Sequence, residues 1–287
     1  MAIVKITGVG ADLVHPDLSD YLKFDTVTAT PTKLVSTASD PDNPKLELTN
    51  TFEGHDFTYN SANRFTGGKV TDWFTGATRD GRPFASITIS DFVISAAKLF
   101  KLVKENSSNA LLSQIFSGND IFTTARTKST SEVSINGYGG DDSIGGSAGH
   151  DKLAGGAGDD DLSGGAGRDV LRGGAGMDTQ RGGAGGDQFI FDAALGLANV
   201  DHILDFVAGK DMIVLQDRVF SGFAPGGLDP ASFIIGIRAA DSDDRVVYNA
   251  TSGKLYFDHD GKGGDRQILF AQLEAEMNLL DTDFQIV

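Results

Sequence analysis

One stretch of this chain repeats every nine residues, and so short a period dictates stacking. From 137 to 190 it runs GYGGDDSIG, GSAGHDKLA, GGAGDDDLS, GGAGRDVLR, GGAGMDTQR and GGAGGDQFI, six copies without an insertion. Glycine holds the first and fourth positions of every copy, and Asp holds the sixth. An apolar residue holds the eighth in Ile144, Leu153, Leu162, Leu171 and Phe189, with Gln180 interrupting in the fifth copy. Nine residues cannot bury a core alone, so each copy must pack on its neighbours. Glycine permits the sharp turns, and the single apolar residue suits a very short strand with one side chain pointing inward. The expected unit is a half-coil: turn, short strand, then a turn on the opposite side.

Stacked in this way, Asp142, Asp160 and Asp178 line one edge, and Asp151, Asp169 and Asp187 line the other. Carboxylates one above another repel, unless a cation lies between them. Carboxylates and the exposed carbonyls of glycine-rich turns are the oxygen ligands of a hard cation such as Ca²⁺. The candidate ligands are the six Asp and the carbonyls of Gly140, Gly149, Gly158, Gly167, Gly176 and Gly185. Each site needs turns from two stacked coils, so six half-coils predict roughly four sites. A disordered Gly/Asp linker would not keep Asp and the apolar residue in phase over six copies.

These nonapeptides resemble the GGxGxDxUx repeats of the RTX ("repeats in toxin") family, which implies a calcium-binding parallel β-roll. The resemblance continues beyond them. Gly186-Asp187-Gln-Phe189-Ile-Phe191-Asp192 is similar to the segment that closes RTX rolls. Asp201-His-Ile203-Leu-Asp205-Phe206, continuing through Gly209 and Asp211 to Ile213 and Leu215, is similar to the capping strands that follow. Asp205 and Asp211 read as turn and cap residues rather than as another cation site. Before the repeats, Gly118-Asn-Asp120-Ile-Phe122 reads as a degenerate first copy, cut off by a loop over Thr123–Ser131. Asp281-Thr-Asp283-Phe284-Gln-Ile286-Val287 resembles the uncleaved export signals of type I secretion substrates. The resemblance therefore implies a secreted, extracellular protein that leaves unfolded through the type I machinery. The first residues lack the 7–15-residue apolar run of a signal peptide, in keeping with that expectation.

Charge and composition place the acidity. The net charge is −16, of which residues 1–136 carry −2, residues 137–190 carry −5 and residues 191–287 carry −9. Such a balance argues against a nucleic-acid partner or an anionic membrane surface, both of which call for basic patches. The absence of Cys excludes disulfides, thiolate zinc sites and a cysteine nucleophile. No run of 18 apolar residues suggests a transmembrane helix.

Residues 1–118 carry less pattern. Ala2–Thr7, Lys45–Phe52, Lys69–Phe74 and Ala85–Ile89 read as strands, with a turn at Asp80-Gly81. Ser95–Glu105 and Asn109–Phe116 read as helices, and Lys98, Lys101 and Lys104 read as a solvated face over a core rather than a membrane-seeking one. No HExxH occurs among the five His. Gly145-Gly-Ser147-Ala-Gly149 has the letters of a nucleophile elbow but straddles two repeats, outside the strand–turn–helix setting that chemistry needs. His55 beside Asp56 reads as a surface pair rather than a dyad.

Downstream, Arg245–Tyr248, Gly253–Phe257 and Gln267–Phe270 read as strands. Asp258-His-Asp260-Gly261-Lys-Gly-Gly264-Asp265 reads as a hairpin turn. An EF-hand loop would place its glycine sixth and Glu twelfth, whereas here glycine is fourth and Leu269 twelfth.

The expected architecture is mixed: an α+β N-terminal module (1–118), a linker with a degenerate repeat (119–136), a parallel β-roll (137–190) and a β-rich capping region with the export signal (191–287). The expected partners are calcium ions, the secretion machinery and a host or cell-surface ligand for the N-terminal module. No catalytic residue is assigned. A small hydrolase with its site in 1–118, and a membrane-inserting protein, stand as alternatives.

Overall fold

The computed structural model describes residues 117–122, 132–264 and 266–287 with their side chains. It describes Thr123, Thr124 and the strands between residues 3 and 95 by backbone alone. Successive repeats alternate between two parallel sheets, so that one full coil takes two repeats, or 18 residues. One sheet stacks Ile121–Thr124, Ser143–Gly145, Asp161–Ala166, Thr179–Ala184 and Asp201–Ile203. The other stacks Ser134–Asn136, Lys152–Ala157, Val170–Ala175, Gln188–Phe191 and Met212–Leu215. The register places like on like: Phe122 beside Ile144, Ile144 beside Leu162, Leu153 beside Leu171 and Leu171 beside Phe189.

Those eighth-position residues are the core. Phe122, Ile135, Leu162, Leu171 and Phe189 are fully buried between the two sheets. A coil this thin leaves no space at its turns. Gly156 and Gly158 have φ of +119° and +126°, and a Cβ on either would lie 2.4 or 2.2 Å from a carbonyl oxygen of the coil below. Only glycine satisfies both conditions.

The stacking extends beyond the strict repeats at both ends. The degenerate copy around Asp120 pairs through Ile121–Thr124 with Ser143–Gly145, as its sequence rhythm suggests. At the other end Met212–Leu215 pairs in parallel with Phe284–Ile286, whose Phe284 and Ile286 are buried. Asp281–Asp283 forms a 3₁₀ turn, and the Asp283 carboxylate accepts from the N–H groups of Gly209 (2.6 Å) and Leu280 (2.8 Å). The segment read as an export signal is thus built into the folded roll. Val246–Asn249, Lys254–Phe257 and Ile268–Gln272 form an antiparallel extension of the first sheet, close to the strands expected there. Phe191, Phe220, Phe257 and Phe270 join it to the roll through edge-to-face contacts at 5.0–5.3 Å between ring centres.

Toward the N-terminus, Ile3–Gly8 pairs in parallel with Ile121–Thr124 and antiparallel with Arg82–Ser90, so the first sheet continues into these strands. Leu46–Tyr59, Phe65–Arg79 and Arg82–Ser90 follow as antiparallel neighbours, overlapping the expected strands, with Arg79 paired to Arg82; the expected turn at 80–81 lies outside the described residues. Thr26–Thr30 and Lys33–Ser39 are further strands that the sequence pattern did not suggest. The expected helices lie outside the described residues, apart from Ser95, which ends the short strand Ile94–Ser95.

Candidate metal centre

The sixth-position Asp residues form two ladders. Each uses Oδ1 to accept a backbone N–H from the coil before it. On one edge Asp142 accepts from Asp120 (2.8 Å), Asp160 from Asp142 (2.8 Å) and Asp178 from Asp160 (2.9 Å). On the other Asp151 accepts from Val133 (2.8 Å), Asp169 from Asp151 (2.8 Å) and Asp187 from Asp169 (2.9 Å). Two Asp from the capping strands extend the same geometry: Asp201 accepts from Asp178 (3.3 Å) and Asp211 from Asp187 (2.9 Å). The nine-residue pattern did not single out Asp201, because an insertion before it breaks the period. Its signal was the Asp-x-Ile spacing shared with the repeats.

The second carboxylate oxygen separates the rungs. Oδ2 of Asp142, Asp160, Asp169, Asp178 and Asp187 is buried and has no hydrogen-bond donor. Five orphaned carboxylate oxygens in one core region are too costly to be incidental. Three other rungs are satisfied by the protein. Asp151 Oδ2 accepts from the Ser147 N–H, Asp201 Oδ2 from the Gln180 amide (3.0 Å) and Asp211 Oδ2 from Val207 N–H (2.8 Å). Asp205 accepts from Gly182 and Gly183 N–H at 2.9 Å each, closing the last turn as the cap reading expects.

Each orphaned oxygen lies against the first-position glycine five residues before it. A Cβ on Gly155 would lie 2.1 Å from Asp160 Oδ2 and 2.7 Å from the Gly173 carbonyl; on Gly164, 2.4 Å from Asp169 Oδ2 and 2.7 Å from the Gly182 carbonyl. In the rungs of Asp142, Asp160 and Asp169, the carbonyl of a first-position glycine one coil later (Gly155, Gly173 and Gly182) approaches that same glycine. The fourth-position carbonyls of Gly140, Gly149, Gly158 and Gly167 instead press on the fourth-position glycine one coil later. Gly149 also departs from its counterparts: Ser147 precedes it, and the Gly149 N–H donates to the Ser147 hydroxyl (3.1 Å). Among the described residues no three Asp, Glu or His side chains converge on one point. The available donor set is carboxylate plus backbone carbonyl, which suits a hard, oxygen-seeking ion and not a soft metal.

Electrostatics agree. Burial pushes Asp142 up to about 7, with the neighbouring carboxylates of Asp120 and Asp141 adding to it and the Asp120 N–H opposing. Burial takes Asp160 to about 8, with Asp178 and Asp142 adding repulsion, and takes Asp169 and Asp178 to about 6. Asp201 reaches about 8 through burial and the Asp178 carboxylate. Asp187 and Asp211 are also raised, chiefly by burial. A bound divalent cation would neutralise this repulsion and replace the missing donors.

Residues 133–153 and 154–189 match the family model described as the RTX calcium-binding nonapeptide repeat, in 4 copies. These residues are RTX calcium-binding nonapeptide repeats. Calcium is the ion that RTX repeats bind, and the orphaned Asp ladder fits it. No curated protein matches the chain. Among solved structures, the chain is similar to the AlgE6R3 subunit of the Azotobacter vinelandii mannuronan C5-epimerase, at 29% identity over 50% of this chain and 77% of that one, with a TM-score of 0.34.

Proposed function

We propose that this protein is exported unfolded and that its roll folds on Ca²⁺ outside the cell, presenting the N-terminal region to a host or surface ligand. The supporting observation is the set of five buried carboxylate oxygens without donors. In a calcium-poor cytosol those charges oppose folding. Outside, a cation that binds only the folded roll contributes its binding free energy to folding. Extracellular calcium modules work at dissociation constants of about 10⁻⁴–10⁻³ M, within reach of such weakly charged turns. The six repeat Asp, with the turn carbonyls of Gly140, Gly149, Gly158, Gly167, Gly176 and Gly185, are the proposed ligands. The Asp281–Val287 segment lies in the folded roll, so a role in export belongs to the chain before calcium binds. Circular dichroism of the full chain with millimolar Ca²⁺ and with excess chelator tests the reading. A large gain of β signal with Ca²⁺ is expected; equal spectra at neutral pH would sink it.

A further inference from the structure

One turn of the roll departs from the others, and the departure starts at Ser147. Of the six second-position residues, Tyr138, Gly156, Gly165, Gly174 and Gly183 have φ between +71° and +119°, and Ser147 does not. A β-carbon makes that left-handed backbone costly, and the serine avoids it. The consequence is where the N–H points. The Tyr138 N–H donates to Asn136 Oδ1 (2.9 Å) and the Gly183 N–H to Asp205 Oδ2 (2.9 Å), which leaves Oδ2 of Asp142 and of Asp187 without donors. The Ser147 N–H turns instead to Asp151 Oδ2.

The hydroxyl completes the change. Ser147 Oγ donates to Asp151 Oδ1 (3.2 Å), which also accepts the Val133 N–H (2.8 Å). The same Oγ accepts the Gly149 N–H (3.1 Å). In the regular turns that fourth-position N–H joins the next coil: Gly140 donates to the Ala157 carbonyl (2.7 Å), Gly158 to Ala175 (2.8 Å) and Gly167 to Ala184 (2.7 Å). Asp151 is thus held on both oxygens, whereas Asp160, just as buried, accepts the Asp142 N–H on Oδ1 and keeps a bare Oδ2. A cation arriving at a regular rung meets that bare oxygen. At Asp151 it must first displace Ser147, and a hydrogen bond to a charged group is costly to give up.

Given the repeat Asp as calcium ligands, the reading this one rests on, we infer that the Asp151 rung takes Ca²⁺ last and that Ser147 sets its affinity. Half-filling at Asp151 is expected at about tenfold higher free Ca²⁺ than at Asp160, the cost of one such hydrogen bond. The test is a calcium isotherm of the full-length chain by equilibrium dialysis at pH 8. Wild type is expected to end in a single late step. Asp151→Asn is expected to lose that late step and keep the earlier uptake, while Asp160→Asn keeps the late step and loses earlier uptake. Ser147→Gly, free to take the left-handed backbone, is expected to bind the full wild-type count with no late step. The Ser147 amide resonance of the wild type is expected to move in the late step and not before, a readout that needs no variant to fold. A wild type that binds no Ca²⁺ sinks the calcium reading itself. Calcium uptake in which Asp151→Asn removes an early step, Ser147→Gly retains the late one, or the Ser147 amide moves with the first ions overturns the ranking and leaves that reading standing.

Discussion

At the scale of single residues, the repeat Asp has two oxygens with separate tasks. In Asp160, Oδ1 stitches one coil to the next through the Asp142 N–H, while Oδ2 is buried without a donor. Asn keeps the first task and removes the charge from the second. Asp160→Asn is therefore expected to stabilise the metal-free roll at pH 8–9 while weakening calcium affinity about tenfold or more, since one charged ligand is gone. Urea unfolding with and without Ca²⁺ reads both effects. A variant less stable than wild type in both conditions would assign Asp160 to structure alone. Gln180 shows how one residue alters a rung: it sits fully buried where other copies carry an apolar residue, and its amide supplies the donor that Asp201 would otherwise lack.

At the scale of the strand, stability comes from the file of eighth-position side chains. Leu171 is 0% exposed and lies between Leu153 and Phe189 in the same sheet. A thin coil has little freedom to collapse around a void. Leu171→Ala is expected to cost about 2–5 kcal/mol in the calcium-loaded protein, against about 1 kcal/mol or less for the outward, half-buried neighbour Val170→Ala. Chemical denaturation at saturating Ca²⁺ measures the pair, and equal losses would contradict the inward–outward alternation. The turns are as constrained as the strands. Gly158→Ala places a Cβ against the Gly140 carbonyl at a positive φ, with an expected loss of about 1–3 kcal/mol from backbone strain and more from the clash. Thermal unfolding with Ca²⁺ present reads it.

For the whole molecule, the raised carboxylates make protons and calcium competitors. The folded-state values of about 6 to 8 lie above the 3.8 of an ordinary Asp, so the folded roll binds more protons than the unfolded chain across that window. Without metal, stability therefore falls as pH rises from about 4 to 8, and is regained on acidification. With metal, affinity falls as pH drops through 8 to 6, because the ligands must be ionised to bind. Far-UV dichroism of the chelated protein is expected to show more β structure at pH 5 than at pH 9. Calcium titrations are expected to show the reverse order of affinity. A chelated protein that loses β structure on going from pH 9 to 5 would mean that the buried carboxylates do not control folding.

The nine-residue period by itself determined the roll, the inward apolar file and the division of Asp142, Asp160 and Asp178 from Asp151, Asp169 and Asp187. It could do so because each of those features depends on residues a fixed distance apart. The helpful rhythm even reached the degenerate copy at Asp120. What it could not convey was which oxygens are left over. Whether Oδ2 is orphaned depends on donors such as Ser147, Gln180 and Val207, which meet a carboxylate only once the chain is folded. The approach of first-position carbonyls to first-position glycines, and the entry of Asp201 and Asp211 into the ladders, likewise arise from contacts between coils and loops. Sequence spacing specifies the repeat because its information is local; the tertiary structure decided which carboxylates need a cation, because desolvation is a property of the surroundings.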